Sequence, residues 1–115
     1  IVGDGDYGGL AFEEEGERCA SLFSDPKVKV MVMGNHGVLV IGATVAETFD
    51  RLYYFERSCE TYIKALWTGK PLRMLPDDVA RTVARQMDEY PVASASRHLS
   101  ELKAILDEQE PAYRN

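Results

Sequence analysis

The sequence predicts an α/β fold in which two short apolar strands pack against amphipathic helices. The strands are Val28–Met33 and Val38–Ile41, and both are rich in residues that favour β structure. Apolar residues recur at spacings of three and four over residues 44–68 and 94–109, as in helices that bury one face. Because the strands are apolar on both faces, we expect helices or further strands to cover them from both sides.

Composition and charge limit the classes of function. Of 115 residues, 45% are hydrophobic and 28% are charged, which is typical of a globular domain. The net charge is −6, and residues 1–25 carry this whole excess. Because the sequence has no basic face to neutralise phosphates, we predict no nucleic-acid partner and no membrane partner. No apolar run approaches the ~20 residues of a membrane-spanning helix.

The cysteines bear on the cellular compartment of the protein, and the first residue bears on whether the sequence is a whole protein. Cys19 and Cys59 both fall in helical patterns, which indicates reduced, buried thiols in a cytoplasmic protein. The sequence contains no signal peptide or lipidation motif. It begins at Ile1 and not at a methionine, which indicates a processed or truncated piece.

The first half of the chain is divided by glycines. Residues 1–9 hold four of the nine glycines and predict a loop. Residues 10–23 predict a helix whose first turns are acidic, where the helix dipole favours negative charge. Residues 34–37, Gly-Asn-His-Gly, predict a tight connection between two antiparallel strands.

Capping residues and prolines mark the helices that follow. Thr44 and Glu47 form a capping box that begins a long helix, and Gly69 suits the position after its end. Two further helices are predicted over residues 76–89 and 94–109. Their boundaries are marked by Pro76, Pro91, Ser94 or Ser96, and Pro111.

Four aromatic residues of the long helix lie outside its apolar stripe, namely Tyr54, Phe55, Tyr62 and Trp67. One interpretation is a helix buried on two sides. The other is a contact between subunits, where aromatic residues are enriched. The sequence leaves both open.

Two patterns match known binding sites poorly. Asp4, Asp6, Gly9 and Glu15 follow part of a calcium loop, but glycine stands at the fifth position, so a solvated acidic loop is favoured. His98 lies in the last predicted helix, with no acidic or cysteine residue at ligand spacing. A capping or surface role is therefore favoured for His98.

His36 is a stronger candidate, because it lies in a glycine-bounded turn between two strands. A turn of this kind presents its side chain rigidly. Neutral imidazole is the commonest metal ligand in proteins, and it can also act as a general base. A zinc site needs three or four protein ligands, so the spacing alone leaves a structural role and a ligand role open.

The residues around His36 resemble the signature of the class II aldolase/adducin family. Residues 35–49 read Asn-His-Gly-Val-Leu-Val-Ile-Gly-Ala-Thr-Val-Ala-Glu-Thr-Phe and carry the resemblance. Support comes from residues 7–11, 15–18, 52–59 and 102–114. The resemblance covers essentially the whole chain, but only about the second half of the family domain.

The resemblance implies a three-layer α/β/α sandwich around a mainly antiparallel sheet, of which residues 1–115 form the C-terminal portion and the first half is absent. It implies a zinc ion held by a His-x-His pair in that first half and by His36 in this chain, which contains no His-x-His. Tyr113 is similar to an aromatic residue that reaches the catalytic site of a neighbouring subunit. A homo-oligomer, as a tetramer, is also implied.

The resemblance further implies C–C bond cleavage in a small hydroxy-carbonyl or sugar-phosphate substrate, through a metal-stabilised enediolate. We expect this portion alone to be inactive. The alternative is a non-catalytic, adducin-like interaction domain, and the presence of His36 favours the enzyme because a scaffold has no need of a zinc ligand. A third interpretation is a degenerate or truncated product whose strand edges pair with a partner.

Overall fold

The computed structural model describes residues 1–5, 12–89 and 92–114. The chain forms two compact units, residues 1–43 and residues 44–115. The first unit holds a small sheet and one helix, and the second is helical. The predicted α/β class is therefore confirmed.

The sheet of the first unit has three strands, β1 (Val2–Asp4), β2 (Val30–Met33) and β3 (Gly37–Val40), in the order β1-β2-β3. β1 runs parallel to β2. β2 and β3 are antiparallel, and Met33 faces Gly37 at the end of the hairpin. The hairpin predicted from the two apolar runs is confirmed, and the described sheet is mixed.

The core of the first unit is centred on β2. Met31 is fully buried, and Val30, whose side chain points to the opposite face, is also buried. Val32 lies on the same face as Val30 but is 40% exposed. The predicted cover on both faces is therefore present at the start of β2, and the face that carries Val30 becomes exposed at Val32.

The N-terminal segment corrects one prediction. Residues 1–9 were expected to form a loop, but Val2–Asp4 form β1, while residues 6–9 lie outside the described part of the chain. Parallel pairing of β1 with β2 provides hydrogen bonds that a glycine-rich local pattern does not reveal. The following helix, α1 (Phe12–Leu22), agrees with the predicted one where the two can be compared.

The second unit consists of α2 (Val45–Trp67), α3 (Asp77–Asp88), α4 (Val92–Gln109) and a short 3-10 helix (Pro111–Arg114). α2 packs against α4. The ends of α2 and α3 lie within one residue of the predicted ones. α4 ends at Gln109 as predicted, but it includes Val92 and therefore extends beyond Ser94 and Ser96, so the prediction that one of these serines caps it is wrong. Among the described residues, no helix is both long enough and apolar enough to cross a membrane.

Both ends of α2 have the predicted caps. The Glu47 amide donates a hydrogen bond to Thr44 Oγ1 at 3.1 Å, which satisfies one of the free N–H groups of the first turn. At the other end, Gly69 has a φ of 66°, the left-handed conformation that ends helices. Local sequence signals therefore mark both ends of this helix.

Burial in the second unit is slight. α2 contains no buried residue, and Ala95 of α4 is buried. Trp67 is 79% exposed, and Tyr54 and Tyr62 are each 56% exposed. The interpretation that α2 is buried on two sides is therefore wrong for this chain, and the subunit contact stays a prediction.

Candidate functional site

The turn that carries His36 joins β2 to β3 over residues 34–36. The His36 amide donates to the Met33 carbonyl oxygen at 3.2 Å, which closes the turn. Asn35 has a φ of 55°, a conformation that asparagine tolerates better than most residues. The side chain of His36 is exposed. The predicted turn is confirmed, and the role of His36 as a ligand stays a prediction.

The end of β1 contacts this turn through the main chain. The Gly34 amide donates to the Asp4 carbonyl oxygen at 2.7 Å. The Asp4 side chain is buried and pairs with Arg18 of α1. The turn is therefore attached to β1 as well as to β2 and β3, the two strands that it connects.

An ionic cluster holds Asp4 against α1. Arg18 Nη1 lies 2.5 Å from Asp4 Oδ1, and Arg18 Nη2 lies 2.8 Å from both carboxylate oxygens of Glu15. The hydrogen bonds with Glu15 raise the pKa of the Arg18 guanidinium above its ordinary value, so this group stays charged. Asp4 is therefore a buried, ion-paired residue, and its assignment to a solvated loop is wrong.

The same cluster brings three potential metal ligands together. Single ligand atoms of Asp4, Glu15 and Cys19 all lie within 4.8 Å of one another. However, the Arg18 guanidinium already provides the positive charge between the two carboxylates. Burial, followed by the charge of Glu15, raises the pKa of the Cys19 thiol, whereas a zinc ligand must be a thiolate. The cluster does not fit a zinc ion.

Two residues of the calcium-like sequence pattern, Asp4 and Glu15, belong to the same cluster. Asp4 and Glu15 are close in space, as that pattern requires, but Glu15 lies in the first turn of α1 and is paired with Arg18. Asp6 and Gly9, the other two positions of the pattern, lie outside the described residues. Asp4 and Glu15 both form salt bridges with Arg18, and the pair with Asp4 attaches α1 to β1.

His98 has an acidic partner that sequence spacing did not reveal. Its Nδ1 lies 2.7 Å from Asp50 Oδ1, and this pair joins α4 to α2. The Tyr53 ring meets the imidazole edge to face at 4.6 Å, and the Phe49 and Tyr54 rings lie within 6 Å. The predicted surface role is therefore wrong. The sequence carries no local signal of this pair, because His98 and Asp50 are 48 residues apart and meet only through the packing of α2 and α4.

Tyr113 lies in the 3-10 helix that follows α4 and contacts two charged neighbours. Its hydroxyl donates to Asp107 Oδ1, and Arg114 pairs with Asp107 Oδ2. The Arg114 guanidinium also lies 6.0 Å from the centre of the Tyr113 ring. The hydrogen bond from Tyr113 is the main reason that the pKa of Asp107 lies below its ordinary value. Sequence reasoning named Tyr113 but missed both partners.

A cavity of about 720 Å³ lies beside α2 in the second unit. The segment that leads into α3 forms its other wall. Neither His36 nor Tyr113 lines it. Its walls are aromatic and apolar with two arginines, and they include Tyr54, Tyr62, Leu72, Met74, Arg57 and Arg73.

Comparison with known families identifies the chain. The sequence model of the Class II Aldolase and Adducin N-terminal domain matches residues 4–63, just over half of the chain. The chain belongs to the class II aldolase and adducin family. The recognised resemblance is therefore confirmed, and aldolases of this family usually bind a metal ion.

Individual members of the family are similar over part of the chain. A Caulobacter vibrioides protein whose name places it in aldolase class 2 is 33% identical over 82 residues, covering 70% of this chain and 31% of its own length. The Drosophila melanogaster protein hu-li tai shao is 33% identical over 86 residues, which is 74% of this chain and 7% of its own length. Human gamma-adducin is 34% identical over 61 residues, covering 53% of this chain and 9% of its own length.

The chain spans about a third or less of the length of these relatives. No solved structure matches it. Within the chain, the segment that matches the class II aldolase and adducin family contains the His36 turn, the Asp4 cluster and most of α2. His98 and Tyr113 lie beyond this segment. Membership of the family therefore bears on the His36 turn more directly than on Tyr113.

Proposed function

We propose that this chain is the C-terminal portion of a class II aldolase-like lyase, with His36 as one ligand of its zinc ion. The observation that supports this most directly is the position of His36. Its side chain is exposed at a hairpin turn of defined conformation, inside the segment that matches the family. A relative is named for aldolase class 2. The donor chemistry also fits, since neutral imidazole suits zinc.

The remaining ligands belong to residues that precede this chain in the proposed whole protein. A zinc site needs three or four protein ligands, and His36 offers one. We infer that a His-x-His pair in the absent first half completes the site. The proposed whole domain is a three-layer α/β/α sandwich with a mainly antiparallel sheet, in which the β2–β3 hairpin forms one edge of the metal site.

The proposed reaction is the cleavage of a C–C bond in a small hydroxy-carbonyl or sugar-phosphate compound. When bound, zinc would supply Lewis-acid stabilisation of the enediolate that forms on cleavage. His36 would hold the metal through an imidazole fixed by the turn. Tyr113 would approach a neighbouring subunit's site, and its phenol oxygen would accept a hydrogen bond from the substrate because its own proton is donated to Asp107.

We further propose that the whole protein is a cytoplasmic homo-oligomer, and specifically a tetramer, as its resemblance to the family implies. The exposed aromatic residues of α2, Tyr54, Tyr62 and Trp67, support a contact between subunits. Sedimentation of the whole protein tests this. A monomer at micromolar concentration would contradict it.

Zinc content is the decisive measurement for the lyase. In the longer protein that includes this chain, we expect about one zinc per chain by mass spectrometry of the metal, as for a single catalytic site. His36→Ala should lose the zinc and the lyase activity. His98→Ala removes the other histidine of the chain and should keep the zinc. Retention of zinc in His36→Ala would overturn the proposed ligand.

The 115-residue chain alone provides a second test. We expect neither stoichiometric zinc nor turnover from it, because one imidazole cannot hold zinc tightly. Tight zinc or turnover in this chain would show that the proposed first half is unnecessary.

A second candidate function is a non-catalytic assembly domain of the adducin type. The matches to hu-li tai shao and gamma-adducin support it. The two candidates differ in the sequence that precedes Ile1. A His-x-His pair there would favour the enzyme, whereas its absence, together with a longer protein that holds no zinc, would favour the assembly domain.

A further inference from the structure

The end of β1 lies close against Gly34, so a side chain at this position would be crowded. A Cβ atom placed on Gly34 would lie 3.0 Å from the Gly5 carbonyl oxygen and 3.2 Å from the Asp4 carbonyl oxygen. It would also lie 3.3 Å from the carbonyl carbon of Gly5. All three are main-chain atoms, which cannot turn away as the end of a flexible side chain can. A side chain at position 34 would therefore force the end of β1 and the His36 turn apart by a few tenths of an ångström, and glycine allows the close approach.

The approach is reinforced by a hydrogen bond and by the ionic cluster. The Gly34 amide donates to the Asp4 carbonyl oxygen at 2.7 Å. The carboxylate of the same residue, Asp4, is 4% exposed and is paired with Arg18 of α1. Asp4 thus uses its main chain to hold the turn and its side chain to hold α1. Since Asp4 also faces Met33 in the parallel pair, it cannot shift without disturbing β2.

We propose that Gly34 and Asp4 are positioning residues that fix the turn on which His36 is presented. The assignment rests on the proposed role of His36 as a zinc ligand. Metal ligands must be held within ~0.5 Å of the productive geometry, and the supporting contacts decide whether they are. Displacement of the turn by a methyl group at position 34 would move His36 relative to ligands supplied from elsewhere.

The chain offers a matched control in Gly3. This residue also lies in the sheet, opposite Val32, but a Cβ atom there would meet nothing within 4 Å. Gly34→Ala and Gly3→Ala therefore make the same chemical change and remove the same backbone freedom. They differ in whether the new methyl group meets the main chain of β1.

The first readout is nuclear magnetic resonance of the 115-residue chain without metal. In Gly34→Ala, we expect exchange of the amide hydrogen at position 34 to accelerate about tenfold, because its bond to Asp4 is lost. The HN–Hα coupling of Asn35 and the imidazole signals of His36 should change with it, while His98 serves as an internal reference. In Gly3→Ala, all of these should match the wild type. Equal changes in the two variants would overturn the proposal.

A uniform loss of protection across β2 and β3 in Gly34→Ala would indicate a merely structural role and would also overturn the proposal. If Gly34→Ala does not fold, Arg18→Lys gives the same information. Lysine cannot pair with Asp4 and Glu15 through a planar fork, so the end of β1 should loosen. We then expect the same signals of residues 34–36 to shift, although position 18 lies in α1. Unchanged turn signals in a folded Arg18→Lys variant would contradict the positioning role.

The second readout is zinc affinity of the longer protein, measured by competition with a chelator. We expect Gly34→Ala to weaken zinc binding about tenfold and Gly3→Ala to leave it within about twofold, as for other residues that orient metal ligands. If His36→Ala binds zinc as tightly as the wild type does, the proposed function alone is refuted. The metal-free measurements would still decide whether Gly34 fixes the turn. Equal zinc affinities of the two glycine variants would refute the positioning role alone.

Discussion

The imidazole of His98 and the carboxylate of Asp50 connect two helices across 48 residues of sequence, with Nδ1 2.7 Å from Oδ1. Both side chains are about three-quarters buried. This pair and the aromatic rings around it lie at the contact between α4 and α2. The histidine is therefore a structural element of the second unit.

We predict that removal of the His98 nitrogen atoms destabilises the second unit. His98→Phe keeps a ring against Tyr53 but leaves Asp50 without its partner, so the free energy of unfolding should fall by about 1–2 kcal/mol. Asp50→Ala should cost a similar amount. The double variant should lose about 1 kcal/mol less than the sum of the two, because the pair is broken only once. Urea unfolding followed by circular dichroism provides all three values.

Arg97→Gln is the control for this cycle, because Arg97 is the exposed neighbour of His98 on the same helix. Its free energy of unfolding should stay within about 0.5 kcal/mol of the wild type. Additive effects of His98→Phe and Asp50→Ala would show that the two side chains do not interact in solution.

The contrast between α2 and the His98 pair shows what a sequence can predict in this protein. The start and the end of α2 depend on Thr44, Glu47 and Gly69. These residues act through contacts and backbone angles within one helical turn, so the sequence indicates both ends correctly. The His98–Asp50 pair depends on how two helices pack. Nothing in the spacing of either residue reveals it.

The same distinction applies to the first unit. The His36 turn was predictable, because Asn35 and the flanking glycines specify a local conformation. β1 was not, because Val2–Asp4 form a strand only by pairing with residues almost 30 positions away. The contact between Gly34 and Asp4 is of this second kind, so the sequence revealed the candidate ligand and missed the residues that support it.

The N-cap of α2 provides a second prediction. Thr44→Ala removes the hydroxyl that accepts from the Glu47 amide, and it should lower the free energy of unfolding by about 1 kcal/mol. Thr61→Ala is the matched control, since this hydroxyl donates to a carbonyl inside the same helix and caps nothing. It should be neutral or slightly stabilising, because alanine favours helix. Equal losses in the two variants would show that Thr44 does not act as a cap.

The thiol of Cys19 provides a third prediction. Burial raises its pKa above the ordinary cysteine value, so less thiolate is present at any given pH. In a Cys59→Ser variant, which leaves one cysteine, alkylation by iodoacetamide should be slower in the folded chain than in urea at pH 8. The rate should reach its plateau at higher pH in the folded chain. A folded rate equal to that in urea would contradict burial of the thiol beside Glu15.

The fourth prediction concerns Asp107, whose pKa lies below its ordinary value mainly because the Tyr113 hydroxyl donates to it. A lowered pKa in the folded state means that the carboxylate form is favoured by folding. The resulting contribution to the free energy of unfolding is fully present above the pKa that Asp107 has in the unfolded chain. It is lost as the pH falls through the lower pKa of Asp107 in the folded chain. The Asp107 contacts should therefore weaken in acid and be unaffected by small changes near neutrality.

Tyr113→Phe separates this hydrogen bond from the charge of Arg114. We expect the carboxyl carbon of Asp107, followed by nuclear magnetic resonance, to titrate at a higher pH in Tyr113→Phe than in the wild type. The value should remain below the ordinary one, because Arg114 still pairs with the carboxylate. Tyr62→Phe, which removes an exposed phenol of α2, should leave the titration unchanged. An unchanged titration in Tyr113→Phe would mean that the phenol proton is not held by Asp107, and the proposed use of the Tyr113 oxygen as an acceptor would then be wrong.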